Sequence, residues 1–275
     1  MHKTLYMVFI TSSSSRVPVE KVDRKHFLRK GSSNSMLHFY DQHFGSAKPL
    51  FVSKDRYNAF QSVVQSARTK LEQYAVKEKK GQKQNLFYMT EEIIDEYEFY
   101  YKQFERKFEQ LLEEMKNEYE SDKKKFLEGV GEFIDDPIEK DKVLKITEAE
   151  IVSVRSLLKK FEMEFVKIPL EDVKISKHFE SLFIQKSIHN ALDLLSSINK
   201  AFDSGLPKKM NRALFSTFNE KMEKINLFNI TNNKSLQDVI KDFYSIKDYE
   251  GKGTATATLL KEIKEELRAL NNEYL

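Results

Sequence analysis

The chain is 275 residues long, 40% hydrophobic and 32% charged, with 8 glycines and 5 prolines, a composition that suits long helices with narrow apolar stripes and leaves little for sheets and turns. It has no cysteine, which excludes disulfides, thiolate zinc sites and cysteine nucleophiles and makes the cytoplasm the expected compartment. The formal net charge of +3 hides an uneven spread: residues 1–89 hold 16 Lys+Arg against 6 Asp+Glu, residues 90–143 hold 9 against 18, and the rest holds 21 against 19.

A basic third followed by an acidic stretch reads either as a nucleic-acid contact or as two segments that neutralise each other in the fold. The first apolar run, Leu5 to Ile10, falls short of a signal-peptide core and of the roughly 20 residues a membrane span needs. No later run qualifies, so no membrane partner is expected. Thr4 to Thr11 is rich in β-branched and aromatic residues, which predicts a strand. Ser12 to Ser15 end it, and the pattern from Arg16 to Pro49 is irregular, punctuated by Pro18, Gly31, Gly45 and Pro49. Residues 1–53 therefore read as a basic arm.

Ser53 is placed to cap the first helix, whose apolar positions Phe60, Val63, Val64, Ala67, Leu71 and Tyr74 follow helical spacing. It is read as running to residue 80, because the lysines from Lys77 onward suit the negative end of a helix dipole. Thr90 is the expected cap of the longest helix, with Glu91 and Glu92 in its first turn. Ile94, Tyr97, Tyr101, Phe104, Phe108, Leu111 and Met115 alternate steps of three and four, a coiled-coil seam. Its aromatic content favours an antiparallel hairpin, residues 54–80 against 90–128, over a leucine-zipper dimer.

Gly129, Gly131 and Asp135-Asp136-Pro137 are expected to break that helix and form a hinge at 129–146. Thr147 and Glu150 make a capping box for a new helix through Leu158. Phe161, Met163 and Phe165 then alternate with Glu162 and Glu164, the two-residue period of a strand, and residues 4–10 are its natural partner. After Pro169 the pattern is helical, with Phe183, Leu195 and Ile198 on one stripe, Ser235 and Asp238 as a cap, and Leu260, Ile263, Leu267 and Leu270 on the last helix. The expected fold is mainly α: a long antiparallel helical hairpin, a helical bundle over 147–275, and a minor two-stranded β-element.

Motifs for chemistry are sparse. The histidines (His2, His26, His38, His43, His178 and His189) show neither zincin spacing nor a preceding Glu-x-x partner. Gly251-Lys252-Gly253-Thr254 lacks the full spacing of a phosphate-binding loop and a preceding buried strand. Ser12 to Ser15 lack the flanking glycines of a hydrolase elbow. No catalytic residue, metal or cofactor is therefore expected.

Three segments in one order carry a resemblance: Leu5 to Ser15 followed by basic residues, Arg56 to Tyr74 (RYNAFQSVVQSARTKLEQY) leading into the acidic helix, and Val154 to Ile168 (VRSLLKKFEMEFVKI). Together they resemble a bacterial and phage family, a domain of unknown function often encoded beside MoxR-type AAA+ ATPases. The resemblance implies an accessory or substrate-recruiting partner of an AAA+ machine and brings no active-site residues. The expectation is thus a non-enzymatic protein-interaction factor, with Glu113 and Glu114 of the acidic helix as contact residues. One alternative is a nucleic-acid-binding module using Arg24, Lys25, Arg29 and Lys30, with Phe27, Phe39, Tyr40 and Tyr57 for stacking. Another is a self-associating virion or filament component, whose seam would pair between chains.

Overall fold

The structure, a computed structural model, describes residues 4–21, 34–44, 48–80, 84–170, 177–203, 212–247 and 253–274. The fold is mainly α, with four strands among the described residues rather than two. Strands β1 (Leu5–Ser13), β2 (Val76–Lys80), β3 (Gln84–Thr90) and β4 (Glu162–Pro169) form one sheet in the order β2-β3-β1-β4. β3 pairs antiparallel with both β1 and β2, in a register that sets Val8 against Phe87 and Val76 against Tyr88.

The sheet shortens the first arm of the expected helical hairpin over 54–80 and 90–128. The first helix, α2 (Lys54–Tyr74), stops at Tyr74, and residues 76–90 go back and forth as strands before α3 (Glu91–Glu132) begins. The lysine-rich β2 has poor intrinsic strand propensity, and its hydrogen bonds to the aromatic strand β3 override that preference. Thr90 is not the cap of α3: its hydroxyl is buried with no hydrogen-bond partner among the described residues.

By contacts the chain divides into two compact units. The first combines residues 9–71 with 97–166. It contains α1 (Asn34–His43), most of α2 and α3, α4 (Pro137–Glu150) and α5 (Val154–Leu158). Its core is aromatic: Phe60 meets Phe108 at 4.9 Å and Phe161 at 4.5 Å, and Phe51 meets Phe126 edge-on at 5.5 Å. Full burial of one such side chain stabilises by about 1.5–3 kcal/mol.

In this unit α3 passes through Gly129 and Gly131 to end at Glu132, and α4 starts ten residues before the expected Thr147. Asp136 is the cap, its carboxylate accepting from the Ile138 N–H at 2.9 Å, with Pro137 in the first turn where no N–H is needed. Thr147 is instead buried inside α4, donating to the Val143 carbonyl at 2.8 Å. Glu150 accepts from the backbone N–H groups of Glu20 and Lys21 at 3.1 and 3.2 Å. Val17 adopts φ 48°, a left-handed conformation that is costly for a β-branched side chain.

The second unit combines residues 1–8, 72–96 and 167–275. Helices α6 (Lys177–Asp203), α7 (Arg212–Phe228), α8 (Lys234–Lys247) and α9 (Gly253–Tyr274) surround one aliphatic core. Ile188 and Ile198 of α6, Met222 of α7, Val239 of α8 and Ile263 of α9 are all buried within it. Asn233, not Ser235 or Asp238, caps α8, accepting from the Leu236 N–H at 3.0 Å. Lys186 of α6 donates to the Glu72 carbonyl at 2.9 Å in the last turn of α2, where a cation meets both an orphan acceptor and the negative end of the dipole.

Gly129 supports the packing of α1. A Cβ there would overlap the Phe39 ring, which is boxed in by His43, Phe126 and Phe133 at 4.6, 5.7 and 5.9 Å. At Gly131 the added atom would meet only the flexible end of Lys140. Alanine gains up to about 1 kcal/mol over glycine inside a helix, so the two sites should respond with opposite signs. In chemical denaturation we expect Gly129→Ala to destabilise by about 1–3 kcal/mol and Gly131→Ala to be neutral or stabilising.

Candidate interaction site

α3 carries 14 acidic and 7 basic side chains over 42 residues, so whatever its solvent side meets, it meets as a negative surface. Its other side is bound into the first unit by aromatic residues at helical spacing. Tyr97 donates to the Ala67 carbonyl at 3.1 Å, Tyr101 to Met163 at 3.3 Å and Tyr119 to Val152 at 2.6 Å. Burial pushes the Tyr97 phenol well up and that of Tyr101 to about 12, so both remain protonated donors at physiological pH. Met115 and Phe108 are buried between these anchors.

With that side buried, Glu113 and Glu114 lie on the exposed side. Glu113 pairs with Lys116 one turn along, at 3.2 Å with both side chains exposed, a contact worth no more than about 0.5 kcal/mol. Glu114 has no polar partner among the described residues. Among the described residues neither carboxylate is held by another element, which leaves both facing solvent.

Several other basic residues of the N-terminal third are occupied within the first unit. Arg56 bridges Glu118 and, at 2.9 Å, Asp122 on α3. Arg68 donates to Ser12 at 3.0 Å and the Ile10 carbonyl at 3.4 Å. Lys48 pairs with Glu20, Lys54 with Asp41 at 3.4 Å, and Lys70 sits 4.1 Å over the Tyr100 ring. Mutual neutralisation thus accounts for Arg56. Arg24, Lys25, Arg29 and Lys30, and the stacking candidate Phe27, lie outside the described residues. Phe39 and Tyr57 pack against the core instead of offering free faces, and Tyr40 stacks on Phe44 at 4.6 Å.

A cleft of about 410 Å³ opens beside α1, between it, residues 51–55 and α3, lined by His38, His43, Asp55, Asp122, Glu128 and Glu132 among others. The sequence reading missed it because α1 falls in the segment taken as irregular, although Met36, Phe39, Tyr40 and His43 have helical spacing. His43 is bound 2.8 Å from the Leu50 carbonyl and burial lowers its pKa. Burial raises the Asp122 carboxyl and the Arg56 guanidinium pulls it back down, burial winning.

Among the described residues no group of three or more His, Asp and Glu is arranged to hold a metal ion. In the second unit His178 bonds Glu78 at 3.0 Å and His189 lies 3.9 Å from Asp193. Gly251 and Lys252 lie outside the described residues, and α9 begins at Gly253. Ser12 to Ser15 hold local structure: Ser13 donates to the Lys160 carbonyl at 3.4 Å and Ser15 accepts from the Val17 N–H at 3.2 Å. No described helix is long and apolar enough to cross a membrane.

Comparison with protein-family models, curated proteins and solved structures finds no match to this chain. The site therefore stands on its own geometry.

The Arg56–Asp122 pair joins α2 to α3 with the arginine side chain 18% exposed, between the surface and buried regimes of ion-pair energetics. Removing only the cation leaves a half-buried carboxylate uncompensated, so we expect Arg56→Met to cost about 1–2 kcal/mol. Adding Asp122→Asn should recover most of that loss. Urea midpoints of the two single variants and the double variant check this coupling.

Proposed function

We propose that the chain is a non-enzymatic interaction factor that presents the acidic solvent side of α3 to a protein partner. The partner implied by the family resemblance is a MoxR-type AAA+ ATPase, with the chain acting as its accessory or substrate recruiter in the cytoplasm of a bacterium or a phage-infected cell. One observation carries the reading: Glu113 and Glu114 are exposed on a helix whose opposite side is bound by buried tyrosines. A negative face on a rigid support attracts a basic partner and costs little ordering entropy when it binds.

The filament reading draws less support. A filament would need the seam free to pair between chains, and Tyr97, Tyr101, Phe108 and Met115 are buried within this one. For the nucleic-acid module, Arg24, Lys25, Arg29 and Lys30 lie outside the described residues.

The test is charge reversal, Glu113→Lys with Glu114→Lys, measured against a purified MoxR-type ATPase from the same cells. Because both side chains are exposed, the fold should be undisturbed by circular dichroism. Affinity is expected to fall tenfold or more, about 1.4 kcal/mol, and the wild-type affinity to weaken as salt rises. Unchanged affinity removes this helix from the interface; absence of wild-type binding removes the ATPase as the partner.

A further inference from the structure

We propose that His43 is an acid-sensitive latch: neutral, its imidazole holds α1 against α3, and protonated, it lets α1 go. His43 is the last residue of α1 and occupies a three-sided seat. Its ring stacks on Phe39 at 4.6 Å and meets Phe126 of α3 edge-on at 5.0 Å. Its Nδ1 lies 2.8 Å from the Leu50 carbonyl, and the Leu50 N–H in turn donates to the His43 carbonyl at 2.8 Å. A carbonyl can only accept, so Nδ1 carries the proton in either charge state, and what distinguishes the two states is the half-buried seat between the rings.

Protonation places a charge where apolar rings supply two of the three walls. The Arg16 guanidinium opposes that charge. It is bonded to the Gln42 carbonyl, next to His43, and to the Val52 carbonyl at 3.0 Å; His38 lies on the same helix. Across the cleft, α3 contributes Asp122, Lys125, Glu128 and Glu132 and α2 contributes Asp55. Asp122 is already engaged by Arg56 at 2.9 Å, and Asp41 beside His43 pairs with Lys54.

Burial is the largest influence on the imidazole and lowers its pKa; the Leu50 contact raises it, and Arg16 and His38 lower it further. The sign follows from linkage. A base whose pKa is lower docked than released contributes its full docking strength above the released value. That strength is lost as pH falls through about 6.5 and levels off below the docked value. Release would bare Phe126 of α3 and Phe133 of the turn after it on the side that Phe39 now covers, converting an acid signal into an exposed aromatic patch. The latch is independent of the acidic face proposed above, because neither Glu113 nor Glu114 touches it.

Hydrogen exchange of the full chain, read by mass spectrometry and corrected for intrinsic rates, tests the latch directly. Opening of residues 36–43 should rise between pH 7 and pH 5, by at most roughly 25-fold, the ceiling for a group that titrates near 6.5 when released. His43→Phe should flatten that rise while His38→Gln keeps it. An unchanged rise in His43→Phe, or no rise in the wild type, overturns the proposal. Ring-proton NMR of wild-type His43 needs no variant: a midpoint below 6.5 is expected, and one at or above it also overturns the latch.

Discussion

The first unit depends on the burial of one side of α3. Tyr97, Tyr101, Phe108, Met115 and Phe126 are buried along a single helix, and several other elements of that unit touch one of them. α2 does so through Phe60 and Ala67, β4 through Met163, the Phe51 segment through Phe126, and α1 through Phe39. The tyrosines add a directional component to an otherwise non-directional hydrophobic contact. Each hydroxyl reaches a specific backbone carbonyl, which fixes the rotation of α3 about its axis and so determines which glutamates face water.

That rotation links packing to charge. Helical spacing that buries the aromatic side leaves the acids to solvent, except where a cation reaches across. Arg56 does so at Glu118 and Asp122, and Lys123 does so to Glu148 of α4 at 2.8 Å. Glu113 and Glu114 are exposed and lie where no other described element covers them. The acidic surface is therefore what remains after the fold has consumed its internal ion pairs, a sounder basis for an interaction face than the composition of the helix alone.

The α1 segment shows how small features control a docked element. It has ten residues, too few for an independently stable helix in water, and stays in place through aromatic contacts, a close approach at Gly129, the imidazole hydrogen bond and the polar contacts of Gln42 and Asp41 with Asp55, Arg16 and Lys54. The imidazole is the proposed proton-sensitive member of that set.

The sequence alone determined the features that rest on local periodicity. The 3.6-residue stripe of Leu260, Ile263, Leu267 and Leu270 marks α9, and all four are buried. The alternation at Phe161 to Phe165 marks β4, and the strand character of Leu5 to Ile10 marks β1, because a period shows in the chain whatever it later packs against. Only the tertiary structure decided what depends on distant partners. Lys77 to Lys80 belong to a strand because β3 pairs with them, and Thr147 is interior because Asp136 with Pro137 is the better start for its helix. Gly129 continues α3 because the Phe39 ring needs its missing Cβ. The His43 seat had no signal of its own, since its walls come from residues 39, 50 and 126, and no local window spans them.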